Sequence, residues 1–267
     1  MGVGDTYNCA TEVIGLELDI LGKEVNFHID VGKGQARLAD IVPLARTLCA
    51  KIIDVVLESI RSDGGRIPCC KGCAACCSRY LVPLSVPEAL RLKKEISAEP
   101  GYRRESMSRA CLLTARRILS QEPPKPFMGQ PAQVSPAGPV DLDLVSDWYA
   151  GLKLACPFLD NNLCTIYERR PLACREYFVK GSAEVCKGQR GIAEVVAMPV
   201  QVPNALAQLA SELEGTSVEA VILPLALVWC EDNPARAERT WPAAMMVKRF
   251  VEIVKAMARK DSTAVVA

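Results

Sequence analysis

A nine-residue cysteine run, Cys69–Cys77, constrains this chain more than any other feature of its sequence. The run reads CCKGCAACC, so five of the 13 cysteines of the chain fall within it. Thiolates are preferred ligands of zinc, Cu(I) and iron–sulfur clusters, and two-residue gaps let successive sulfurs curl around one centre. Gly72 and the two alanines keep the turns small, so the backbone is predicted to wrap closely around a metal.

The spacing within the run leaves the kind of metal centre open. Cys70, Cys73 and Cys76 have the spacing of a ferredoxin-type cluster sequence. Cys77 follows at once, whereas such a sequence has three more residues and then Cys-Pro. Because adjacent side chains diverge, Cys76 and Cys77 are expected to serve different metals or different edges of one cluster. A disulfide knot is the alternative, and the lack of a secretion signal argues against it.

The composition is that of a soluble globular protein and limits its partners. Half of the 267 residues are apolar, 24% are charged and the net charge is +1. This small net charge and an aromatic content of 5% give no case for nucleic-acid binding. We expect no signal peptide, because the N-terminus has no basic segment followed by an apolar run. We expect no membrane partner, because the longest apolar run, Ala220–Cys230, is too short to span a bilayer. Reduced thiols then favour a cytoplasmic location.

A second cysteine group follows, beginning 80 residues after Cys76. It consists of Cys156, Cys164, Cys174 and Cys186. The gaps of seven, nine and eleven residues are not zinc-knuckle spacings, so the fold must bring these sulfurs together. Asp160-Asn161-Asn162 is turn chemistry that is predicted to fold Cys156 back towards Cys164. A Pro-rich stretch at 122–139 separates the two groups and is predicted to be a loop.

The remaining sequence predicts a mainly α fold, with an irregular cysteine-rich metal-binding centre surrounded by helices and a short N-terminal β-hairpin. The hairpin is expected from alternating residues over Glu12–Ile20 and Glu24–Ile29, around Leu21-Gly22-Lys23. Helices are predicted over Ala36–Arg61 (bent at Pro43), Pro83–Ile96 (capped by Ser85), Tyr102–Ser120, Asp141–Leu154, Asn204–Glu214, Ser217–Cys230 and Trp241–Arg259. This organisation predicts an N-terminal hairpin and long helix at 1–66, a cysteine-cluster domain at 67–188, and C-terminal helices at 189–267 that pack on the same core.

Several isolated residues are interpreted as structural. Cys49, Cys111 and Cys230 lie on apolar helix faces and are expected to be small core residues. His28 is the only histidine and is expected on a half-buried or exposed strand position, far from the cysteines. A single histidine also argues strongly against histidine general-base catalysis.

The combined cysteine pattern resembles the YkgJ-type cysteine-cluster family, which is mainly bacterial. The resemblance rests on CxxCxxCC at 70–77 followed by CPFL and CTIYERRPLACR, and it covers roughly residues 67–188. The family is described as carrying a zinc- or iron-chelating domain, which implies a metal ion as partner. The metal ligands implied by the resemblance are Cys70, Cys73, Cys76, Cys77, Cys156, Cys164, Cys174 and Cys186. Cys69 is an additional cysteine, so the number of ligands stays open.

The resemblance implies metal binding but names no reaction. We expect iron as an iron–sulfur cluster, narrowly ahead of zinc, because the 70–73–76 spacing and Cys156-Pro157 favour a cluster. A closed all-thiolate supply favours zinc. The alternative function is an iron–sulfur-dependent enzyme related to flagellin lysine N-methylase, by analogy only. The sequence names no catalytic residue and no protein partner.

Basic residues near the cysteines are expected to balance their charge. Arg170, Pro171 and Arg175 match the Arg-Pro and Cys-Arg elements of the family, and Lys71 and Arg79 lie in or beside the first cysteine run. Eight thiolates would leave the site negative even with two zinc ions, so cations and N–H donors to sulfur are required nearby. Because the two cysteine groups are far apart in sequence, the metal is predicted to be needed for folding.

Overall fold

The helices of this protein dominate its architecture, so the fold is mainly α, as predicted. The structure is a computed structural model that describes residues 11–122, 142–187 and 194–264. The predicted Pro-rich loop at 122–139 lies outside the described residues, apart from Glu122. The α-helices are α1 (Val42–Ser62), α2 (Val86–Ser97), α3 (Gly101–Leu119), α4 (Leu142–Gly151), α5 (Leu172–Glu176), α6 (Val202–Glu214), α7 (Ala226–Asp232), α8 (Pro234–Glu238) and α9 (Ala243–Ala264).

The strands of the described residues form five two-stranded antiparallel pairs. They are β1 (Thr11–Ile20) with β2 (Lys23–Gly32), β3 (Gln35–Ala36) with β10 (Trp241–Pro242), β4 (Pro83–Ser85) with β9 (Ala220–Ile222), β5 (Leu159–Asp160) with β6 (Leu163–Cys164), and β7 (Val179–Lys180) with β8 (Glu194–Val195). Apart from the first pair, these strands are only two or three residues long. They therefore hold neighbouring helices and loops together.

The predicted N-terminal hairpin is confirmed by the pairing of β1 with β2. Leu16 pairs with Phe27 in the register of β1 and β2, and both side chains are buried. The turn consists of Leu21 and Gly22, both with positive φ, which is the backbone of a tight two-residue hairpin turn. His28 is exposed on β2, as expected. The buried face of the hairpin packs against α9 and α1.

The start of the first long helix differs from the prediction. The predicted helix over Ala36–Arg61 is replaced at its beginning by β3 and a short 3-10 helix at Leu38–Asp40, and α1 begins only at Val42. Pro43 lies in the first turn of α1. Since the N–H groups of a first turn have no helical partner, proline is tolerated there and does not bend the helix.

The predicted helix over Ser217–Cys230 is wrong in its first half. Residues 220–222 form β9, which pairs with β4, and Pro224 lies in a 3-10 turn before α7. A short apolar run does not distinguish a buried strand from a helix by periodicity, which is why the sequence misleads here. The last helix, α9, likewise begins two residues after the predicted Trp241, because Trp241 pairs with Ala36.

One main hydrophobic cluster joins the segments on both sides of the cysteine centre. It includes Leu16 of β1, Leu48 of α1, Phe158 beside the second cysteine group, Leu206 of α6 and Phe250 of α9, each at most 1% exposed. Full burial of such a side chain contributes about 1.5–3 kcal/mol. Among the described residues, no helix combines the length and apolar character needed to cross a membrane.

Two buried polar links attach the cysteine-bearing segment to the helices. Glu88 of α2 is 2% exposed, and its Oε1 accepts a hydrogen bond of 2.8 Å from the N–H of Leu172, the first residue of α5. Its Oε2 accepts bonds from the N–H and hydroxyl of Ser85, at 3.1 and 2.9 Å. Arg46 of α1 donates to both oxygens of Glu95 and to the carbonyl of Arg169, at 2.7, 3.2 and 2.9 Å. These links position the helix α5, which carries Cys174, and the loop before it.

Candidate metal centre

The first cysteine run begins where α1 ends. The N–H of Gly65 donates to the carbonyl of Ile60 at 2.8 Å, and a Cβ on Gly65 would lie 2.6 Å from the Ile60 side chain, so this close approach requires glycine. Beyond it, the N–H of Cys73 donates to the carbonyl of Cys70 at 3.0 Å, and Gly72 has a φ of +90° in this turn. A second turn closes from Cys77 to Ala74 at 3.1 Å. Consecutive turns therefore curl the run, as its small residues predict.

The second cysteine group begins with a tight hairpin. Strands β5 and β6 are joined by Asn161 and Asn162, both with positive φ, which these residues tolerate better than most. Leu159 pairs with Cys164, and the N–H of Thr165 donates to the carbonyl of Phe158 at 2.8 Å. The predicted return of the chain from Cys156 towards Cys164 is confirmed.

The hairpin sulfurs share one local hydrogen-bond geometry. The Cys156 sulfur accepts a hydrogen bond from the N–H of Phe158, and the Cys164 sulfur accepts one from the N–H of Ile166, so both donors lie two residues after the cysteine. Each bond lowers the pKa of its thiol and opposes the larger, raising effect of burial. N–H donors of this kind stabilise a metal-bound thiolate.

The two cysteine groups meet in space. The N–H of Cys156 donates a hydrogen bond of 2.7 Å to the carbonyl of Cys77, which joins the two groups directly through their backbones. At the other end of the hairpin, the Leu163 side chain lies 3.8 Å from the position of a Cβ on Gly72. The tip of the hairpin therefore covers the turn of the first run.

Four thiols form an inner group, which we call the inner quartet. Its members are Cys76, Cys156, Cys164 and Cys174. Burial raises the pKa of the Cys174 thiol well above its ordinary value, and Cys156, Cys76 and Cys164 act on it electrostatically in the same direction. Burial also raises the pKa of Cys156 to about 12, with further contributions from Cys164, from the core cysteine Cys111 and from Cys76. For Cys76, the largest cause of its raised pKa is a hydrogen bond with the Cys77 side chain, followed by burial. Only a bound cation would make these thiols ionise together at neutral pH.

The other cysteines near the centre form a more exposed group. Cys186 interacts electrostatically with Cys76, Cys69 and Cys73, and Cys69 interacts with Cys73, Cys76 and Cys70. Cys70 is exposed, and the other three are partly buried. Thiols from both predicted groups thus lie near one another. As the side chains stand, the described residues contain no group of three or more His, Cys, Asp and Glu that could hold a metal ion.

Arg170 and Arg175 have different surroundings. The Arg170 guanidinium lies 3.8 Å from the centroid of the Tyr167 ring, and it lowers the pKa of Cys76, Cys164 and Cys174 against the raising effects of their surroundings. It therefore faces the inner quartet. Arg175 donates instead to the carbonyls of Arg170, at 3.0 Å, and of Glu168.

Arg175 thus has a different role from the charge balance predicted from the sequence. Its guanidinium donates to backbone carbonyls and stabilises the loop that carries Arg170. Lys71 and Arg79 are the other two predicted cations. Lys71 is exposed, and its Nζ lies 3.8 Å from a Glu168 carboxylate oxygen and 5.4 Å from the Tyr167 ring centroid. The backbone N–H of Arg79 donates to the carbonyl of Cys76 at 3.0 Å.

Three tyrosines beside the cysteines were not predicted from the sequence. Tyr80 and Tyr177 stack with a centroid separation of 4.2 Å, and Tyr149 is 4% exposed. Burial raises the pKa of all three tyrosines. Cys174 adds to this effect on Tyr80, Cys186 adds to it on Tyr177, and Cys156 adds to it on Tyr149. The available signal was positional, since Tyr80 follows Cys76 by four residues and Tyr177 follows Cys174 by three.

The cysteines expected in the core are found there. Cys49, Cys111 and Cys230 are at most 2% exposed, and the Cys230 sulfur donates to the carbonyl of Ala89 at 3.4 Å. Burial raises the pKa of Cys111 to about 12 and that of Cys230 to about 11. All described cysteines are free, so no disulfide knot is present among them.

Comparison with known families agrees with this centre. Residues 69–190 match the family model described as "CxxCxxCC: Putative zinc- or iron-chelating domain". The match covers less than half of the chain, and over these residues the chain is similar to that family. Both cysteine groups lie within the matched residues, and α1 and α6–α9 lie outside them. No curated protein and no solved structure matches the chain. Metal chelation is therefore the property that the family description associates with residues 69–190.

Proposed function

We propose that this protein chelates a zinc or iron centre through the inner quartet of its CxxCxxCC domain, and that this centre holds the two cysteine groups together. The observation that carries the proposal is the convergence of one thiol from the first group with three from the second. A set of four thiolates is a complete ligand supply for a closed tetrahedral zinc site. The donor set also fits iron, because thiolates hold iron–sulfur clusters.

The charges around the quartet support a bound metal. The four thiols repel one another as thiolates, and Arg170 is the cation that faces three of them. A divalent ion adds two positive charges at the point where the repulsion is greatest. Metal–sulfur bonds of about 2.3 Å would also draw the four neutral, separated thiols into one coordination shell.

Zinc is the metal that we propose for the inner quartet. The quartet takes only Cys76 from the 70–73–76 spacing, so the resemblance of that spacing to a ferredoxin sequence contributes little to this set. An iron–sulfur cluster is the second candidate, because the spacing itself is present in the chain. Protein methyl transfer stays a prediction of the sequence, and binding of S-adenosylmethionine to the purified protein tests it.

The test is the metal content and absorption spectrum of anaerobically purified protein, followed by thermal unfolding with and without a chelator. We expect a colourless protein with stoichiometric zinc, whose unfolding temperature falls strongly on chelation, since a structural zinc site contributes on the order of 10 kcal/mol. A brown protein that contains iron and acid-labile sulfide would instead support an iron–sulfur cluster at this site.

Two variants assign the effect to the quartet. Cys164→Ser removes one thiolate of the quartet and should lose the metal. Cys230→Ala serves as the matched control, because Cys230 is buried in the main core and lies outside the CxxCxxCC match. Equal metal content and equal unfolding temperatures in both variants, with and without chelator, would overturn the proposal.

A further inference from the structure

A cavity of about 350 Å³ lies beside α5 and the start of α6, and no cysteine is among the described residues that line it. Its walls are mostly apolar and include Pro83, Ala173, Val195, Val196 and Met198. Its polar lining consists of Tyr80, Glu176, Tyr177, Gln201 and Asn204. Cavities of this size and character hold small organic ligands. Because no lysine or arginine is among the described lining residues, Glu176 is the group that can give the cavity a charge.

The carboxyl group of Glu176 uses only one of its oxygens within the described part of the chain. Glu176 is 9% exposed, and its Oε1 accepts hydrogen bonds from the N–H of Val202 at 3.0 Å and from the Cys49 thiol at 3.6 Å. Its Oε2 accepts no hydrogen bond from any residue that the structure describes, and no described cation pairs with it. A buried carboxylate is costly unless its oxygens and its charge are compensated. The Oε2 atom is therefore available to a ligand that enters from the cavity.

Two aromatic rings share this cavity with Glu176. Tyr80 and Tyr177 both line it, and their rings stack on each other. The N–H of Tyr80 donates to the carbonyl of Cys76 at 2.9 Å, and the N–H of Tyr177 donates to the carbonyl of Ala173 at 3.2 Å, so the backbone fixes both residues. The faces of aromatic rings attract cations. A positive group that reaches Glu176 would therefore also lie in an aromatic environment.

The start of α6 borders the same cavity but does not suit a negatively charged ligand. The N–H of Val202 is used by Glu176, and Pro203 has no N–H. The N–H of Asn204 donates to the carbonyl of Gln201 at 3.1 Å, and its side-chain Nδ2 donates to the Gln201 side chain. An anion would therefore find no free N–H at these first three helical positions, and it would face the Glu176 carboxyl group.

We propose that this cavity binds a small primary ammonium ion with an apolar body. The ammonium group donates a hydrogen bond to the Oε2 of Glu176, and its charge lies beside the rings of Tyr80 and Tyr177. The apolar body packs against Val196 and Met198. Such a cation supplies both the donor and the positive charge that the carboxylate lacks, and a charge-assisted hydrogen bond is stronger than a neutral one. This site is distinct from the proposed metal centre, because none of the described residues that line it is a thiol.

The experiment is calorimetric titration of the purified full chain with n-butylammonium, n-butanol and butyrate. We expect saturable binding of n-butylammonium, binding of n-butanol that is weaker by at least about 10-fold, and no binding of butyrate. Glu176→Gln keeps an oxygen for the N–H of Val202 but removes the charge, so it should weaken n-butylammonium binding by about 10- to 100-fold. Tyr177→Leu removes one ring and should weaken it by about 2- to 5-fold. Glu105→Gln, at an exposed carboxylate of α3, is the matched control and should bind like the native chain.

The outcomes decide the ammonium site without reference to the metal centre. No saturable binding of n-butylammonium, which means a cavity that holds water only, would overturn the site, as would equal affinities for n-butylammonium and n-butanol. Equal affinities of Glu176→Gln and the native chain would also overturn it. Thermal unfolding shows whether Glu176→Gln is folded; where it is not, unchanged affinity in Tyr177→Leu overturns the site. Metal content is measured on the same samples, so lost n-butylammonium binding at unchanged metal content in Glu176→Gln supports the site and leaves the proposed chelation intact.

Discussion

The carboxylate of Glu88 offers a direct test of how the fold supports the metal centre. It accepts three hydrogen bonds, from the N–H and hydroxyl of Ser85 and from the N–H of Leu172, at 3.1, 2.9 and 2.8 Å. Glu88→Ala removes the Glu88 half of the capping box at the start of α2, which costs about 1 kcal/mol. It also leaves the buried N–H of Leu172 without a partner, which costs about 1–3 kcal/mol. We therefore expect a loss of about 3 kcal/mol of unfolding free energy.

The assay is urea unfolding of the metal-loaded protein, with thermal unfolding in parallel. For a chain of this size, about 3 kcal/mol corresponds to a fall of about 6–12 °C in unfolding temperature. Because α5 begins at Leu172 and carries Cys174, the same variant should release its metal faster to a chelator. Glu105→Ala, at an exposed position of α3, is the control and should change stability by less than about 0.5 kcal/mol. A Glu88→Ala loss below about 1 kcal/mol, with unchanged metal release, would refute the reasoning.

Two further predictions concern neighbouring charges. Arg170→Gln should weaken metal retention by about 10- to 100-fold, measured by competition with a chelator, because Arg170 faces three thiols of the quartet. Arg175→Gln should weaken it less, since Arg175 acts only through the carbonyls of Glu168 and Arg170; the reverse order would contradict this assignment. Burial raises the pKa of Glu176 from 4.5 to about 8. The folded state therefore holds a proton that the unfolded state releases, and stability should fall as pH rises from about 5 to 8, by at most about 1.4 kcal/mol per pH unit. Urea unfolding of Glu176→Gln across this range should show a flatter profile, and an unchanged slope would exclude Glu176 as the cause.

Local structure followed closely from the sequence wherever the deciding interactions lie between near neighbours. The hairpin turn at Leu21-Gly22, the Asn161-Asn162 turn and the cap of α2 at Ser85 all depend on residues within a few positions of one another. The two main errors have a different origin. Strands β9 and β10 pair with β4 and β3, which lie more than a hundred residues earlier, and periodicity within a short apolar run does not report such partners.

The sequence by itself determined that this protein is a mainly helical chain with a thiol-rich centre, because cysteine spacing and helical periodicity are local properties. Only the tertiary structure decided which thiols of the two groups lie near one another. Cys76 acts electrostatically on Cys156 and Cys174 and also on Cys186 and Cys69. These approaches depend on long-range contacts, such as the 2.7 Å bond from Cys156 to Cys77 and the bond from Leu172 to Glu88. The spacing of the cysteines within one group does not report the distant segment that packs against that group.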